Sequence, residues 1–301
     1  MEWFTLFLIT PLLLVPAVLL WGYAGCGFSV PLSPSPPNVP TNLMATTMSA
    51  SSIFLSWSHE DDASDVSFEI ERYKGDALTP EAVPVTTSTT YTDGGLSPLQ
   101  RYRYKVRAVR AMESSEPSNE ASATTLPLLS FSATLTTDQT GLAGFCIVQR
   151  IEPALAFGGN RVIIKIRGST TGNLVIDRVF ISQVAGTGNP YDSSAADLTL
   201  VASNVSIAAT TSAITSVALP EVQYALDRTR PLLVIFDINA AAGNGNVRYR
   251  TAVPSTEAIM YFRSATAEAG TPDRLPSAAN PGASPYIVSN SIYLIETIEV
   301  A

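Results

Sequence analysis

The chain has 301 residues, a formal net charge of −8 and only 15% charged residues. This acidic balance provides no basic surface that would attract phosphate groups, so nucleic acid is not an expected partner. Ser, Thr, Ala, Val and Pro are abundant, a composition typical of extracellular β-sandwiches rather than of helical enzymes, and the predicted fold class is all-β.

Residues 1–27 form a predicted signal or membrane-anchor segment. No charged residue occurs from Trp3 to Ala24, and a helix of about 22 residues spans roughly 30 Å of hydrocarbon. The only preceding side-chain charge is Glu2 and the first Lys or Arg is Arg72, so the basic residues that usually flank such segments are missing. Cleavage, lipidation and retention as an anchor remain open, as does an apolar arm buried in protein. The first three place the rest of the chain outside the cytoplasm, at a membrane or cell surface.

The end of this segment offers a lipidation site. Ala24, Gly25 and Cys26 resemble the lipobox of bacterial lipoproteins, which implies that Cys26 is lipidated and becomes the mature N-terminus. The other cysteine, Cys146, lies in an apolar run and is predicted to be a small buried hydrophobic residue. The sequence therefore contains no disulfide framework.

A Pro-rich linker, residues 28–36, leads into the first domain. Each proline fixes its own φ angle and favours extended geometry in the residue before it. The stretch from Val30 to Thr41 is therefore predicted to be a semi-rigid spacer, about 35 Å long at about 3.1 Å per residue.

Residues 37–127 show apolar alternation with a period of two, as in half-buried strands. The alternating residues are Ile53, Leu55 and Trp57 in one strand and Val66, Phe68 and Ile70 in another. With Pro40, Leu96 and Tyr102, this pattern resembles a fibronectin type III domain. The resemblance implies that Trp57 fills the core and that the Tyr102 hydroxyl forms a corner by bonding back to the backbone. Such domains are spacers or protein-binding modules.

Residues 128–301 are predicted to form a larger antiparallel, jelly-roll-like β-sandwich. The apolar runs predict strands at 130–136, 145–150, 161–167, 173–182, 197–202, 213–219, 231–238, 246–252, 258–262 and 286–299. The runs RVIIKIR (161–167) and PLLVIFDI (231–238) predict central strands covered on both faces. A short helix at 255–269 is an alternative to strand there.

Loops rich in small polar residues in this second domain are candidate binding sites. In the stretch 185–197, Asn189, Tyr191, Asp192 and Asp197 offer an aromatic face and several oxygen atoms, as a sugar or calcium site would. The alternative is a capped turn with Tyr191 packed on the surface. Further aromatic residues are predicted to form either a stacking platform or part of the core: Tyr249, Tyr261, Phe262, Tyr286 and Tyr293.

Several kinds of catalysis lack the residues they need. The only histidine is His59, expected to be an exposed structural residue, so the second domain cannot form a Ser-His-Asp triad or a zinc site. No cofactor and no metal site are predicted. Glycoside hydrolysis would need two carboxylates, and it could use two of Glu152, Asp177, Asp192, Asp197, Asp237, Glu257, Glu296 and Glu299.

These observations favour a membrane-anchored, surface-displayed, non-catalytic binding or adhesion protein. Its fibronectin type III spacer would present the second sandwich to a glycan or protein partner. The alternative is a structural subunit of an extracellular filament, appendage or virion, a homo-oligomer held together by the apolar arm. A third hypothesis is a carbohydrate-active enzyme.

Overall fold

The computed structural model describes residues 35–62, 65–111, 113–153, 155–209, 216–274, 276, 282–283 and 285–301. The predicted segment 1–27 with Cys26, and most of the linker 28–36, lie outside these residues. The described residues contain strands, turns and bends and no helix, which confirms the all-β prediction for this part of the chain. In that part, no helix long and apolar enough to cross a bilayer is found.

The first domain is a sandwich of two antiparallel sheets, a three-stranded sheet in the order β1-β2-β5 and a five-stranded sheet in the order β4-β3-β6-β7, with β8 also pairing with β6. Its strands are β1 Thr41–Thr47, β2 Ser52–Ser58, β3 Ser67–Lys74, β4 Val85–Thr86, β5 Thr90–Gly94, β6 Arg101–Arg110, β7 Glu113–Ser114 and β8 Ala121–Thr124.

The core of the first domain confirms the predicted alternation. The six predicted inward residues of β2 and of the segment containing β3 are all buried in one cluster. The Trp57 ring meets the Phe68 ring edge-on, with the centroids 5.3 Å apart. The predicted tyrosine corner is present, because the backbone N–H of Ser97 donates to the buried Tyr102 hydroxyl oxygen at 3.0 Å.

The second domain contains fourteen strands in its described residues. These are β9 Leu128–Ser132, β10 Thr137–Gln139, β11 Phe145–Ile151, β12 Gly159–Arg167, β13 Leu174–Gln183, β14 Thr199–Ile207, β15 Ser216–Ala218, β16 Val222–Leu226, β17 Leu232–Ile238, β18 Val247–Thr251, β19 Ala258–Ser264, β20 Ile287–Ser289, β21 Ser291–Tyr293 and β22 Ile295–Val300. Each predicted strand overlaps an observed one, and β19 occupies the segment where a helix was the alternative. The short strands β10 and β16 were not predicted.

Three sheets make up this domain. A six-stranded sheet has the order β14-β13-β17-β11-β19-β20, and a five-stranded sheet has the order β15-β12-β22-β9, with β16 also pairing with β12. A small sheet has the order β10-β18-β21. One large apolar cluster draws residues from both larger sheets, such as Ile164 and Ile298 from one and Val179 and Phe236 from the other, so these two sheets face each other across the main core.

The two strands that were predicted to be central occupy central positions. Strand β17 lies between β13 and β11, and all seven of its residues are buried. Strand β12 lies between β22 and the pair β15 and β16. Its residues from Arg161 to Arg167 alternate between half-buried and buried, so the prediction of full cover on both faces was wrong for this strand. A strand that is apolar on both faces needs cover on both, and β17 has it because a second apolar cluster lies on the other face of the six-stranded sheet.

Candidate functional site

Two loops cover the outer face of the six-stranded sheet and position the candidate site. The first, residues 184–198, connects β13 to β14, and the second follows β19 and includes the described residues 265–274. Between the loops and the sheet lies the second apolar cluster, which includes Tyr191, Tyr261, Ala269 and Tyr286. The loops are therefore packed on an apolar base of their own.

The first loop is closed by its own backbone. Val184 and Ser193 form an isolated antiparallel bridge, and the N–H of Ala185 donates to the carbonyl of Asp192 at 2.8 Å. The N–H of Asn189 donates to Asp192 Oδ2 at 2.7 Å, which is the side-chain cap expected of an Asp in a turn. This loop thus has a defined conformation.

Asn189 and Asp192 also fasten the first loop to the second. The Asn189 side-chain amide donates to the carbonyl of Pro276 at 3.0 Å. The other Asp192 oxygen, Oδ1, accepts the backbone N–H of Arg274 at 2.9 Å. Both predicted site residues therefore help to hold the two loops together.

Tyr191 and Asp197, the other two predicted site residues, do not join the two loops. The Tyr191 ring is buried, with centroid distances of 4.6 Å to Tyr286 and 5.2 Å to Tyr261, and burial raises the pKa of its hydroxyl. The Asp197 carboxylate accepts from the Gln183 N–H at 2.6 Å and from the Tyr224 hydroxyl at 2.7 Å. Within the predicted set of four, Asn189 and the buried Asp192 therefore join the two loops, whereas Tyr191 is packed beneath them and Asp197 is bonded to other parts of the domain.

An open groove of about 430 Å³ lies between the two loops. We name it the loop groove, and its lining is Ala185, Thr187, Gly188, Asn189, Asp192, Ser193, Ala195, Pro272 and Asp273. Hydroxyl, amide and carboxylate groups dominate its polar lining. Such groups suit a ligand rich in hydroxyls, since each can donate or accept a hydrogen bond.

A buried arginine supports the groove from beneath. Arg274 is fully buried, and its Nη1 donates to the Tyr191 carbonyl at 2.6 Å and to Ser193 Oγ at 3.0 Å. Its Nη2 donates to the Ala269 carbonyl at 3.0 Å. Burial lowers the pKa of this guanidinium. Sequence reasoning missed Arg274, because its partners on the first loop lie about eighty positions earlier in the chain.

A second buried charge anchors the start of the second loop. Asp237 Oδ1, on β17, accepts the backbone N–H groups of Glu268 and Ala269 at 3.0 and 2.9 Å. Its other oxygen meets Arg178 Nη2 at 2.6 Å. This carboxylate was considered for catalysis from the sequence, and in the structure it organises the loop.

The remaining aromatic residues do not share one exposed face. Tyr261 and Tyr286 lie beneath the loops, whereas Tyr249 and Tyr293 stack on each other elsewhere, with centroids 4.8 Å apart. Tyr261, Tyr286 and Tyr293 are buried. The structure therefore agrees with the core alternative for these three residues.

The other candidate carboxylates each contact a polar or cationic partner. Glu152 pairs with Arg150, Glu257 with Arg250, Glu296 with Arg167 and Glu299 with Lys165, and Asp177 accepts from Asn239. Among the described residues, no group of three or more His, Cys, Asp or Glu side chains is placed to hold a metal ion.

His59 corrects one expectation about the first domain. Its side chain is only 2% exposed, not at the surface, because its ring packs edge-on against Phe68 with the centroids 5.0 Å apart. Its Nε2 lies 3.5 Å from Asp61 Oδ2. It is a packed residue of the first sandwich.

The described part of the chain is thus an all-β protein with two sandwich domains. Comparison with known families identifies the first: residues 38–124 match the family model of the Fibronectin type III domain, as the resemblance in the sequence predicted. This segment is a fibronectin type III domain.

Similar proteins match only part of the chain. An Alpha-amylase of Niallia circulans is 39% identical over 92 residues, which are 30% of this chain and 7% of that protein. The fn3 domain of human contactin 1 is 23% identical and covers 30% of this chain and 79% of its own, with a TM-score of 0.27. Titin domains A168–A170 are 23% identical over 30% of this chain and 32% of their own, with a TM-score of 0.28.

Proposed function

We propose that this chain is a non-catalytic, extracytoplasmic binding protein, in which the fibronectin type III domain is a spacer and the second sandwich binds a glycan through the loop groove. The observation that carries the proposal is the loop groove itself. Polar side chains and small apolar groups line it, and its walls are fastened together by Asn189, Asp192 and the buried Arg274. Preorganised walls lower the entropy lost when a ligand binds.

The strand order supports a jelly roll as the architecture of the second domain. The eight principal strands, in chain order, are β9, β11, β12, β13, β14, the pair β15 and β16, β17 and β22. In the five-stranded sheet, the first of these strands lies beside the eighth, the eighth beside the third, and the third beside the sixth. In the six-stranded sheet, the second lies beside the seventh, the seventh beside the fourth, and the fourth beside the fifth. This interleaving is that of two Greek keys wound together, an architecture common among lectin domains. The hairpin β19–β20 extends the second sheet beyond this plan.

The chemistry of the groove favours a neutral glycan. Each Asp192 oxygen accepts one hydrogen bond within the loops, and a carboxylate oxygen has a further lone pair that can accept from a sugar hydroxyl. Thr187 and Asp273 are exposed at the rim. The net charge of −8 and the two groove carboxylates would repel an anionic polysaccharide. The similarity to an Alpha-amylase is consistent with a setting in which glycans are present.

The test is a glycan array probed with the full chain in detergent, followed by calorimetry with the best neutral oligosaccharide. Asp273→Asn and Thr187→Ala should each weaken binding about two- to thirty-fold, the loss of one hydrogen bond of about 0.5–2 kcal/mol. Asp76→Asn, on an exposed side chain of the first domain, is the matched control and should bind as the wild type does. Equal binding by all four proteins would reject the loop groove as the site.

Non-catalysis is tested in the same samples. Bound oligosaccharide should be recovered with its length unchanged after prolonged incubation, as seen by mass spectrometry. Its hydrolysis, lost on substitution of a groove carboxylate, would instead favour a carbohydrate-active enzyme.

The proposed attachment to a membrane depends on residues 1–27. The charge-free run from Trp3 to Ala24 costs too much free energy to leave in water, so it needs lipid or protein cover. Mass spectrometry of the mature N-terminus would show a lipid on Cys26, a cleaved end or an intact Met1. Light scattering would reveal extended polymers if the segment instead joins subunits of a filament or virion.

A further inference from the structure

The connection between the two sandwiches is short and is fastened to the first domain. Only Thr125, Leu126 and Pro127 lie between β8 and β9. Thr125 Oγ1 donates to the Ser97 carbonyl at 2.6 Å, and the Leu126 carbonyl accepts the N–H of Leu99 at 3.2 Å. Pro127 has a restricted φ angle. The connection therefore has few freely rotating bonds.

One side chain of the second domain crosses to the first. Arg161, near the start of β12, directs its Nη2 at two successive carbonyl oxygens of the first domain, that of Pro98 at 3.2 Å and that of Leu99 at 2.9 Å. Hydrogen bonds from a charged donor are stronger than neutral ones, and the planar guanidinium fixes their directions.

Arg161 is held firmly in its own domain. Its backbone N–H donates to the Ala301 carbonyl at 3.1 Å, and its carbonyl accepts the Ala301 N–H at 3.0 Å. Its Nη1 lies 3.5 Å from Glu221 Oε1. With its backbone paired and its other terminal nitrogen directed at Glu221, the guanidinium has little freedom to swing away from the first domain.

The receiving turn, residues 97–99, is equally well fixed. The N–H of Ser97 is bonded to the Tyr102 hydroxyl of the tyrosine corner. Leu99 has a positive φ angle of 49°, which is a left-handed conformation. In this conformation its carbonyl accepts from Arg161 and its N–H donates to the Leu126 carbonyl. The tyrosine corner, the connection between the two sandwiches and Arg161 thus form one continuous set of hydrogen bonds across the junction.

We propose that Arg161 locks the two sandwiches in one relative orientation, so that the first domain is a rigid stalk and not a flexible tether. The lock uses residues away from the loop groove and does not depend on what that groove binds. Its consequence is that the direction in which the second domain is presented is built into the chain.

The test measures the distance between the two domains directly. Spin labels are attached at Asp76→Cys in the first domain and at Ser203→Cys in the second, both exposed positions, in the full chain in detergent. Cys26→Ser removes one native thiol, and Cys146 is fully buried and should not react. Pulsed electron paramagnetic resonance then gives the distribution of distances between the two labels.

The wild type should give one narrow distribution, and Arg161→Ala should at least double its width while both domains keep their thermal transitions. Glu221→Gln, which removes the neighbouring charge and leaves both carbonyl bonds, is the matched control and should stay narrow. Arg161→Lys, with a point charge in place of the planar fork, should give an intermediate width and serves if the alanine variant does not fold. A broad wild-type distribution, or variants at Arg161 as narrow as the wild type, would overturn the proposal.

Discussion

Gly245 is the residue whose replacement should most clearly separate backbone strain from crowding in the second domain. It follows β17 in the loop that leads to β18, and its φ angle is +82°. A Cβ atom added there would lie 2.1 Å from the backbone nitrogen of Ala143 and 2.5 Å from the carbonyl carbon of Leu142. Because both are backbone atoms, neither can turn aside.

Gly243, two residues earlier, provides the matched control. Its φ angle is +81°, but a Cβ atom there would meet nothing within 4 Å. Gly243→Ala should therefore lower the free energy of unfolding only by the cost of a left-handed conformation, about 1–2 kcal/mol. Gly245→Ala should cost that amount and a further 1–3 kcal/mol or more for overpacking.

The measurement is differential scanning calorimetry of the full chain in detergent, following the transition of the second domain. A change of 1 kcal/mol shifts the midpoint by about 2–4 °C in a domain of this size. Gly243→Ala should lower it by about 2–8 °C, and Gly245→Ala by about 4–20 °C. Equal shifts for the two variants would show that the close approach to Ala143 does not constrain the loop.

Two further predictions concern hydrogen bonds to single side chains. Tyr102→Phe removes the oxygen that accepts the Ser97 N–H and should lower the stability of the first domain by about 1 kcal/mol in urea denaturation; an unchanged midpoint would mean that water replaces the bond fully. Burial raises the pKa of Asp138, but hydrogen bonds from Thr170 and Arg248 outweigh this and hold it below its ordinary value. The stability that this carboxylate contributes is present above its ordinary pKa of about 3.9 and is lost as pH falls through the lower pKa of the folded state. Asp138→Asn should therefore lower the free energy of unfolding by about 1.5–3 kcal/mol at pH 7, and by progressively less below a pH of about 4. A difference between variant and wild type that is constant with pH would contradict this.

Much of the fold follows from local patterns in the sequence. The alternation of Ile53, Leu55 and Trp57 specified which face of β2 is buried, because side chains on a strand point to opposite faces in turn. The apolar run of β17 required cover on both faces. The resemblance to a fibronectin type III domain implied that Tyr102, six positions after Leu96, bonds to the nearby backbone.

The candidate site was only partly predictable. Asn189 and Asp192 were recognised as residues of a polar turn, and they line the loop groove. Tyr191 was expected to offer an exposed aromatic face or to pack on the surface. Whether it is exposed depends on Tyr261 and Tyr286, which stack on it and which no local pattern relates to it.

The sequence by itself determined the class of fold, the central strands and the core face of the first sandwich. The class followed from composition, the central strands followed from short continuous apolar runs, and the core face followed from the period of two that burial of one face imposes. Only the tertiary structure decided that Arg274 lies beneath the loop groove and that Arg161 meets the turn at Leu99, some sixty positions earlier. These contacts arise when sheets pack and loops close over them, and the identity of one partner places no local constraint on the other.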